Sequence, residues 1–246
     1  MRPIYERNHT CVSDDLRWSL TITPDGPTTP PTQWSDRLRS LLIGDAIHLL
    51  DVHQPHAGTL RFDVSTPPDV APADIVWICR GALQDSLRTR KKLQLRRKFL
   101  LASVGDGSTD AGDRFIAGRL ERRSTSGTSG HRGIRRPTPR RIDHGVHDIT
   151  LRMAAVHDKR FRTMRADHRE VTVRAVIDTA AKYDHDVLSL IAAPDHLWLC
   201  VDVPAERSPG EVALSYLNNV AFRHGSRPVF ERGCHLETVS STQVGV

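Results

Sequence analysis

The stretch DVLSLIAAPDHLWLCVDVPAERSPGEVALSYLNNVAFR, residues 186–223, predicts most of the fold. A Pro-Asp pair at 194–195 is typical of a tight turn, since proline presets φ and aspartate can bond its own backbone. After this turn, apolar residues recur at every second position, which is the period of a β-strand. Ser208, with Pro209 and Glu211 after it, forms the capping box of a helix start. The stretch therefore predicts a β-hairpin followed by a helix.

An earlier stretch follows the same order. Residues 47–84, IHLLDVHQPHAGTLRFDVSTPPDVAPADIVWICRGALQ, also predict two strands joined by a turn, then a Pro-rich loop and a helix. The matched segments are 62–64 with 201–203, 71–75 with 208–212 after a two-residue difference in loop length, and 96–106 with 231–241. Chance is a poor explanation for several matches in one order. The chain is therefore predicted to hold tandem copies of one supersecondary unit.

Each copy predicts the element order β-α-β-β-α-β. The predicted strands are 16–23, 46–52, 59–64, 96–106, 146–153, 187–190, 197–201 and 234–241, and the predicted helices are 33–42, 73–88, 110–122, 165–183 and 209–223. We therefore expect an α+β fold of two ferredoxin-like units, each an antiparallel sheet with helices on one face.

Composition divides the chain into three parts. Residues 12–122 hold the first unit and residues 142–246 hold the second, which we expect to be truncated at its last helix. Residues 123–141 are rich in Ser, Gly and Arg and almost devoid of apolar side chains, a composition typical of a linker. The two units are therefore predicted to be joined by a basic linker.

Positive charge is concentrated in two segments of a chain whose net charge is +6. Residues 119–141 contain eight arginines and one acid, and residues 88–98 contain seven Lys and Arg and no acid. Such clusters are typical of phosphate binding, although a solvated linker is a slightly better interpretation of 119–141. For 88–98 we favour nucleic acid, and the predicted DNA-binding residues are Arg88, Arg90, Lys91, Lys92, Arg96, Arg97 and Lys98.

The sequence predicts a cytoplasmic protein without a membrane partner. The N-terminus has no apolar segment typical of a secretory signal, and no apolar run approaches the roughly 20 residues that a membrane span needs. Four scattered cysteines, Cys11, Cys79, Cys200 and Cys234, show no metal-ligand spacing. They are interpreted as reduced thiols of a cytosolic protein.

The segment PDHLWLCVDVPAERSPGEVALSYL, residues 194–217, resembles the core of the IS200/IS605-type transposases, which are single-tyrosine HUH nucleases. That family has a Pro-Asp-His turn, a His-hydrophobic-His strand, a Pro-rich loop and a Ser-Pro-x-Glu helix start. Here the first histidine is His196, and Trp198 replaces the second. The resemblance covers 142–241 well and extends to 16–122 through the repeat. It implies the same ferredoxin-like fold.

The resemblance also implies a chemistry that this chain cannot complete. In the family, two histidines and a polar residue hold a divalent ion, and a tyrosine on the last helix attacks the scissile phosphorus. An indole such as Trp198 offers no lone pair to a metal, so His196 is the one metal-ligand candidate. In the first unit the histidine positions fall at Ala57 and Thr59, and Phe115 stands at the tyrosine position. We expect no intact catalytic residue and no cofactor, with Mg²⁺ or Mn²⁺ only if activity remains.

Members of this family work as dimers whose sites combine the histidines of one subunit with the tyrosine of the other. Two fused units are therefore expected to form an intrachain pseudo-dimer, with a homodimer as the alternative. One composite site would join His196 and Trp198 to Phe115.

Other candidate residues have more ordinary interpretations. His53 and His56 are predicted to be solvated turn residues, and Tyr216 is predicted to belong to the core of a helix face. Trp77 or Trp198 could stack on a base, although a core position is commoner for a tryptophan on a helix or strand.

Three functions remain open from the sequence. The leading hypothesis is a tandem transposase-related protein that binds single-stranded or hairpin DNA without cutting it. An enzyme is the alternative, a metal-dependent strand transferase that uses a rearranged or intermolecular tyrosine. The third is a degenerate remnant that acts through protein contacts or not at all.

Overall fold

The structure is a computed structural model and describes residues 3–6, 11–12, 16–25, 29–56, 58–87, 95–105, 110–120, 129–132, 140–142, 145–159, 161 and 166–240. Within these ranges the chain has a mixed α/β architecture of two six-stranded sheets and five α-helices. The strands are β1 (Cys11–Val12), β2 (Leu16–Pro24), β3 (His48–His56), β4 (Thr59–Thr66), β5 (Leu95–Val104), β6 (Ser129–Arg132), β7 (Arg140–Ile142), β8 (Gly145–Asp148), β9 (Thr150–Val156), β10 (Asp186–Ala192), β11 (His196–Asp202) and β12 (Cys234–Val239). The helices are α1 (Ser35–Ile43), α2 (Pro72–Ser86), α3 (Asp110–Ala117), α4 (Ala166–Tyr183) and α5 (Pro209–Arg223), with a 3-10 turn at Pro31–Gln33.

The two sheets have related strand orders. The N-terminal sheet runs β3-β4-β2-β5-β8-β7, and the C-terminal sheet runs β1-β12-β9-β11-β10-β6. The order of elements in β2 to β5, with α1 and α2 between them, recurs in β9 to β12 with α4 and α5. Helices α1 and α2 pack together beside the N-terminal sheet, and α4 and α5 pack together beside the C-terminal sheet.

The hairpin and the helix start predicted from residues 186–223 are confirmed. Strands β10 and β11 pair antiparallel across the turn. The Ser208 hydroxyl accepts a hydrogen bond from the Glu211 amide at 3.3 Å, and the Glu211 carboxylate accepts one from the Ser208 amide at 3.4 Å. Both first-turn amides therefore have partners.

The strand predicted at 146–153 is wrong as a single element. It divides at Ile149, which is buried and whose carbonyl accepts a bond from the Val203 amide. Before this point β8 pairs with β5 in the N-terminal sheet, and after it β9 pairs with β11 and β12 in the C-terminal sheet. The run of β-forming residues at 146–153 thus contributes one strand to each sheet, and the buried side chain of Ile149 separates the two strands.

The halves exchange short strands. Strand β1, from the first half, pairs parallel with β12, and β8, from the second half, pairs parallel with β5. Because β5 and β12 come from the matched segments 96–106 and 231–241, the two exchanges are equivalent. Each sheet therefore contains a strand from the other half of the chain.

The ends of β5 and β12 meet at residues 103–104 and 238–239, which we call the seam between the sheets. Hydrogen bonds at this seam are also reciprocal. The Ser103 hydroxyl donates to the Val239 carbonyl at 2.6 Å, and the Thr238 hydroxyl donates to the Val104 carbonyl at 2.8 Å. Ser103 matches Thr238 in the repeat, so each residue makes the bond that its counterpart makes. Gly105 approaches the Thr238 carbonyl so closely that a side chain there would overlap it.

The Pro-rich loops before α2 and α5 repeat this reciprocity. The Ala73 amide donates to the Ala205 carbonyl at 2.9 Å, and the Gly210 amide donates to the Pro68 carbonyl at 2.7 Å. Each donor is the second residue of its helix, and each acceptor lies in the opposite loop four residues before the helix begins. The two halves thus contact each other through equivalent atoms.

Two further predictions differ from the structure. The segment 123–141 contains β6, which pairs with β10, and the first residues of β7, which pairs with β8. A sheet edge satisfies the backbone groups of such strands, which composition alone does not reveal.

His53 and His56 lie on β3 rather than in a turn, because β3 continues pairing with β4 as far as His56 and Thr59. No helix in the described ranges is long and apolar enough to cross a bilayer.

Candidate composite site on the C-terminal sheet

Strand β11 presents its two faces to different partners. Leu197, Leu199 and Val201 point into the main core with residues of α4 and α5. His196 and Trp198, which alternate with them, lie on the opposite face of the C-terminal sheet. The composite site predicted from the sequence would lie on this face.

Helix α3, from the first half of the chain, covers this face. Ile116 and Leu120 form a second buried cluster with Ala154 and Val156 of β9, and Phe115 and Trp198 pack against it. The helix reaches β9 and β12 of the other half. The structure therefore brings the helix that carries Phe115 onto the sheet that carries His196 and Trp198. The helix ends at Ala117, before the predicted end at 122.

Trp198 fills the space beside the first turn of α3. A side chain placed on Gly112 would overlap the indole ring. Ala154 lies opposite Trp198 on β9, and His235 lies opposite Ala154 on β12. These three positions form one row across three strands, and α3 lies over the row.

Phe115 sits at the β12 end of this row. Its ring centroid is 6.0 Å from that of His235, and the Arg119 guanidinium carbon is 4.5 Å from the Phe115 centroid. Arg119 also donates to the Arg232 carbonyl at 2.7 Å. Since strand β9 separates β12 from β11, the backbone positions of His235 and Trp198 are two strand spacings, about 10 Å, apart along the row. The aromatic ring at the predicted tyrosine position is thus held between Arg119, which follows α3, and His235 of β12.

His196 forms a hydrogen bond with a residue of the turn between β10 and β11. Its Nδ1 atom is 2.6 Å from the Asp195 carboxylate, which is buried. His157 approaches the same turn, with its amide bonded to the Asp195 carbonyl at 2.7 Å and its Nδ1 atom 3.0 Å from the Pro194 carbonyl. Burial lowers the pKa of His157 to about 4, so this ring is neutral at pH 7.

The next row of the sheet is polar. The Arg152 guanidinium is 2.9 Å from the Glu237 carboxylate, and His235 Nε2 is 3.4 Å from the same carboxylate. Cys200 lies opposite Arg152 on β11. Burial raises the pKa of the Cys200 thiol to about 11, so it is protonated at pH 7 and a poor nucleophile.

The far end of β11 holds a charge cluster around one arginine. Arg140 of β7 contacts Asp202 at 3.1 Å, Asp186 at 3.1 Å and Asp184 at 2.6 Å. Asp202 is 2% exposed, and burial raises its pKa to about 6 although Arg140 opposes this shift. Arg140 therefore joins a strand of the N-terminal sheet to carboxylates of the C-terminal sheet.

The three tyrosines of the chain, Tyr5, Tyr183 and Tyr216, have partners other than His196. The Tyr5 hydroxyl accepts from the amides of Val229 and Phe230, and burial raises its pKa to about 12. Tyr216 is buried against His185, as the core prediction requires, and burial raises its pKa. Tyr183 is the last residue of α4, and Asp186 soon after it pairs with Asp202 at the end of β11. His196 is at the other end of this strand, about 20 Å away.

The predicted DNA-binding residues are only partly described. Arg88, Arg90, Lys91 and Lys92 lie outside the described residues. Arg96 and Lys98 are exposed on β5, and the backbone of Arg97 belongs to the same strand. The Arg96 guanidinium is 2.8 Å from the Asp25 carboxylate.

In the basic segment 119–141, the described arginine side chains make contacts within the molecule. Arg119 bonds the Arg232 carbonyl, and Arg140 contacts three carboxylates. These two arginines therefore stabilise the fold rather than provide open positive charge.

In the part of the chain that the structure describes, no group of three or more His, Cys, Asp and Glu residues is placed to hold a metal ion. His196 is the sequence-predicted ligand, and the described residues offer it Asp195 as its nearest acidic neighbour. Apolar and aromatic side chains surround Trp198 and Phe115, and the charged neighbours Arg152 and Glu237 are paired with each other.

Sequence reasoning did not find several residues of this site. Arg152, His235 and Glu237 were not singled out, although their alternation on β9 and β12 places them on the same face as Trp198. Gly112 was also missed, since a glycine inside a predicted helix gives no sign of the ring that packs on it. The strand periods could have found the first three residues once the sheet order was known.

The comparisons with known proteins add little. No protein-family model matches the chain, and no curated protein matches it. Among solved structures, an unknown protein from Galdieria sulphuraria aligns with 9% identity and a TM-score of 0.23, covering 92% of this chain and 98% of its own. A candidate chlorite dismutase aligns with 8% identity and a TM-score of 0.22, covering 93% and 97%. At such TM-scores neither likeness carries an argument about fold or function.

Proposed function

We propose that this chain is a DNA-binding protein related to the single-tyrosine transposases, built from two ferredoxin-like units, which binds single-stranded or hairpin DNA without cutting it. The units form a pseudo-dimer within one chain. The composite site between them has become a packed contact.

The reciprocal contacts support the pseudo-dimer. Two equal units related by a two-fold axis contact each other through the same atoms in both directions. The exchanged strands β1 and β8, the bonds of Ser103 and Thr238, and the bonds of Ala73 and Gly210 all have this property. Three independent sets of equivalent contacts favour duplication of a dimerising unit over two unrelated halves.

The position of α3 is the observation that carries the proposal. The last helix of the first unit lies on the sheet of the second unit, as a site shared between two subunits requires. Phe115 has no oxygen for attack on phosphorus, and Trp198 has no lone pair for a metal. Ile116 and Leu120 fill the contact with apolar side chains. Helix α3 thus lies where a composite site would need it, but its contact with the C-terminal sheet is an apolar interface.

Charge supports DNA as the partner. The segment 88–98 has seven Lys and Arg and no acid, and its described cations Arg96 and Lys98 are exposed. Neutralising phosphates releases counterions, so binding through such a segment weakens steeply as salt rises.

The test is a salt titration of binding to a labelled hairpin with a single-stranded flank. We expect log K to fall linearly with log salt, with a slope of about −0.7 per phosphate contact on single strands. The double substitution R96Q/K98Q should reduce the slope by about one to two contacts. Arg174→Gln, on the exposed surface of α4, is the matched control and should leave the slope unchanged. Binding that is absent or insensitive to salt would favour the degenerate remnant.

The enzyme alternative requires a tyrosine that reaches His196. Tyr5 and Tyr216 are buried with raised pKa values, and Tyr183 lies beyond the other end of β11. None of these arrangements favours attack by a phenolate next to His196. The enzyme alternative would then require a tyrosine supplied by a second molecule of this protein. An experiment on DNA cleavage tests that arrangement.

A further inference from the structure

The outer surface of α2 carries an exposed tryptophan. Trp77 is 54% exposed, whereas Trp18 and Trp34 are buried and Trp198 packs against α3. A ring that stacks on another molecule needs an accessible face, which a buried ring does not offer. Among the four tryptophans of the chain, Trp77 is therefore the candidate for a contact with another molecule.

The neighbours of Trp77 leave room for a flat group. The Arg80 guanidinium carbon lies over the ring at 5.7 Å from its centroid. Gly81, one turn further along the exposed stripe of α2, has nothing within 4 Å of the position where a Cβ atom would stand. Glycine inside a helix costs about 1 kcal/mol relative to alanine. The missing side chain at Gly81 leaves open space next to the indole on the surface of α2.

Arg80 connects this surface to the basic strand. Its guanidinium donates to the Leu95 carbonyl at 3.4 Å and to the Arg96 carbonyl at 3.1 Å. The backbone at the start of β5 is therefore fixed beside α2. The exposed side chains of Arg96 and Lys98 alternate with Leu95 and Phe99, which pack in the core, so they point to the open face of this sheet. Between Leu87 and Leu95 the sequence has four Lys and Arg and no acid.

Acidic residues on α2 limit the position of a polyanion. Asp74 lies in the first turn, before Trp77, and Asp85 lies near the end of the helix. A phosphate chain that approached Trp77 would run towards β5 and its cations rather than along the helix axis.

The equivalent surface of the second half is covered by the chain itself. Leu214 and Asn218 of α5 match Trp77 and Gly81 in the repeat. The Asn218 side chain accepts from the amides of Ile4 and Tyr5 at 2.8 and 2.9 Å and donates to the Tyr5 carbonyl at 3.0 Å. Gly81 has no side chain that could hold a peptide in this way. Position 81 of α2 therefore does not provide the side-chain bonds that Asn218 makes, and position 77 has a larger ring than Leu214.

On the basis of the DNA-binding function above, we propose that Trp77 stacks on a base of single-stranded DNA and that the cations of β5 contact phosphates further along the same DNA strand. Aromatic stacking is tolerant of sequence, because every base has a π-face. It requires unpaired bases, so the surface discriminates single strands from duplex. Arg80 positions the ring and the strand relative to each other.

The test compares binding of a labelled oligothymidylate and a labelled duplex to the full chain by fluorescence anisotropy. Trp77→Ala should weaken oligothymidylate binding roughly 5- to 100-fold, as loss of one stacked base does. Trp77→Phe should retain most of the affinity, and the matched control Phe222→Ala, an exposed aromatic on α5, should leave it unchanged. The salt slope should stay the same in Trp77→Ala, because no phosphate contact is removed.

Each outcome decides a separate point. If wild-type protein binds oligothymidylate and Trp77→Ala binds it equally well, the stacking proposal is wrong and the DNA-binding function survives. If wild-type protein binds no DNA, both are wrong. If Trp77→Ala changes the sedimentation of the protein without DNA, the exposed ring is a protein contact and stacking is rejected.

Discussion

The indole of Trp198 occupies the space where a side chain on Gly112 would stand. This contact joins α3 of the first half to β11 of the second half. It predicts that Gly112→Ala destabilises the protein by about 1 to 3 kcal/mol, since an added methyl group must displace a packed ring. Urea unfolding followed by circular dichroism measures the change.

Gly81→Ala is the matched control for this substitution. Gly81 also lies inside a helix, but its Cβ position is open, so alanine there should stabilise by about 0.5 to 1 kcal/mol. In a Trp198→Ala background, Gly112→Ala should cost less than it does in the wild type, because the overlap is then absent. Equal effects at Gly112 and Gly81 would show that α3 does not rest on the indole.

Arg140 supplies a second prediction. It is the cation nearest to buried Asp202, so Arg140→Gln leaves a carboxylate without its main partner. Breaking such a pair from one side costs about 3 to 5 kcal/mol. The double substitution R140Q/D202N should cost less than R140Q alone, because the remaining group is then neutral.

Arg61 and Asp63 form the control pair for Arg140. Their contact of 3.1 Å lies on the more exposed open face of the N-terminal sheet. Arg61→Gln should change the free energy of unfolding by no more than about 1 kcal/mol. A loss at Arg140 as small as that at Arg61 would contradict the role of Arg140 as an anchor between the sheets.

The buried His185 predicts loss of stability in mild acid. Burial, with smaller contributions from the charges of Arg140 and Arg207, lowers its pKa from 6.5 to about 4. The unfolded chain then binds the proton more tightly than the folded chain, so the contribution of His185 is complete above pH 6.5 and is lost as the pH falls towards 4. At pH 5 the loss is about 2 kcal/mol.

The measurement is the free energy of unfolding at pH 7.5 and pH 5.0 for wild type and for His185→Gln. The variant should lose about 2 kcal/mol less between the two pH values. Asp202, whose raised pKa acts in the opposite direction, and His157, which acts in the same direction, are present in both proteins and cancel in the difference. Exposed His56→Gln is the control and should follow wild type. An unchanged pH dependence in His185→Gln would refute the assignment.

The seam between the sheets predicts that the two halves unfold together. Ser103→Ala removes the bond to the Val239 carbonyl and leaves the Thr150 amide without its hydroxyl partner. Thr238→Val removes the equivalent bonds to Val104 and Arg17. Each should cost about 1 to 3 kcal/mol. Fluorescence and circular dichroism should report one coincident transition, and two separate transitions in the wild type would contradict the seam.

Local signals in the sequence predicted many elements correctly. The Ser208 capping box, the alternation of β11 and the helices α2 and α4 depend on neighbours along the chain, so periodicity and cap chemistry suffice to find them. The recurrence of the element order was visible for the same reason.

Long-range contacts decided what the sequence could not predict. Nothing in the run from Val146 to Met153 shows that it divides at Ile149, because the division depends on two sheets that meet there. The segment 123–141 has linker composition, yet β6 gains backbone partners from β10. The contacts of Arg140 with three carboxylates depend on strand order, which charge counting cannot supply.

The most direct test of a DNA-binding protein without strand cleavage is a search for a covalent product. Purified protein is incubated with hairpin single-stranded DNA and Mg²⁺ or Mn²⁺, and the mixture is divided between a native binding assay and a denaturing gel with mass spectrometry. We predict salt-sensitive binding in the first and only unmodified protein and intact DNA in the second. A protein–DNA adduct that survives denaturation would contradict the loss of cleavage, and the absence of any binding would contradict the DNA partner.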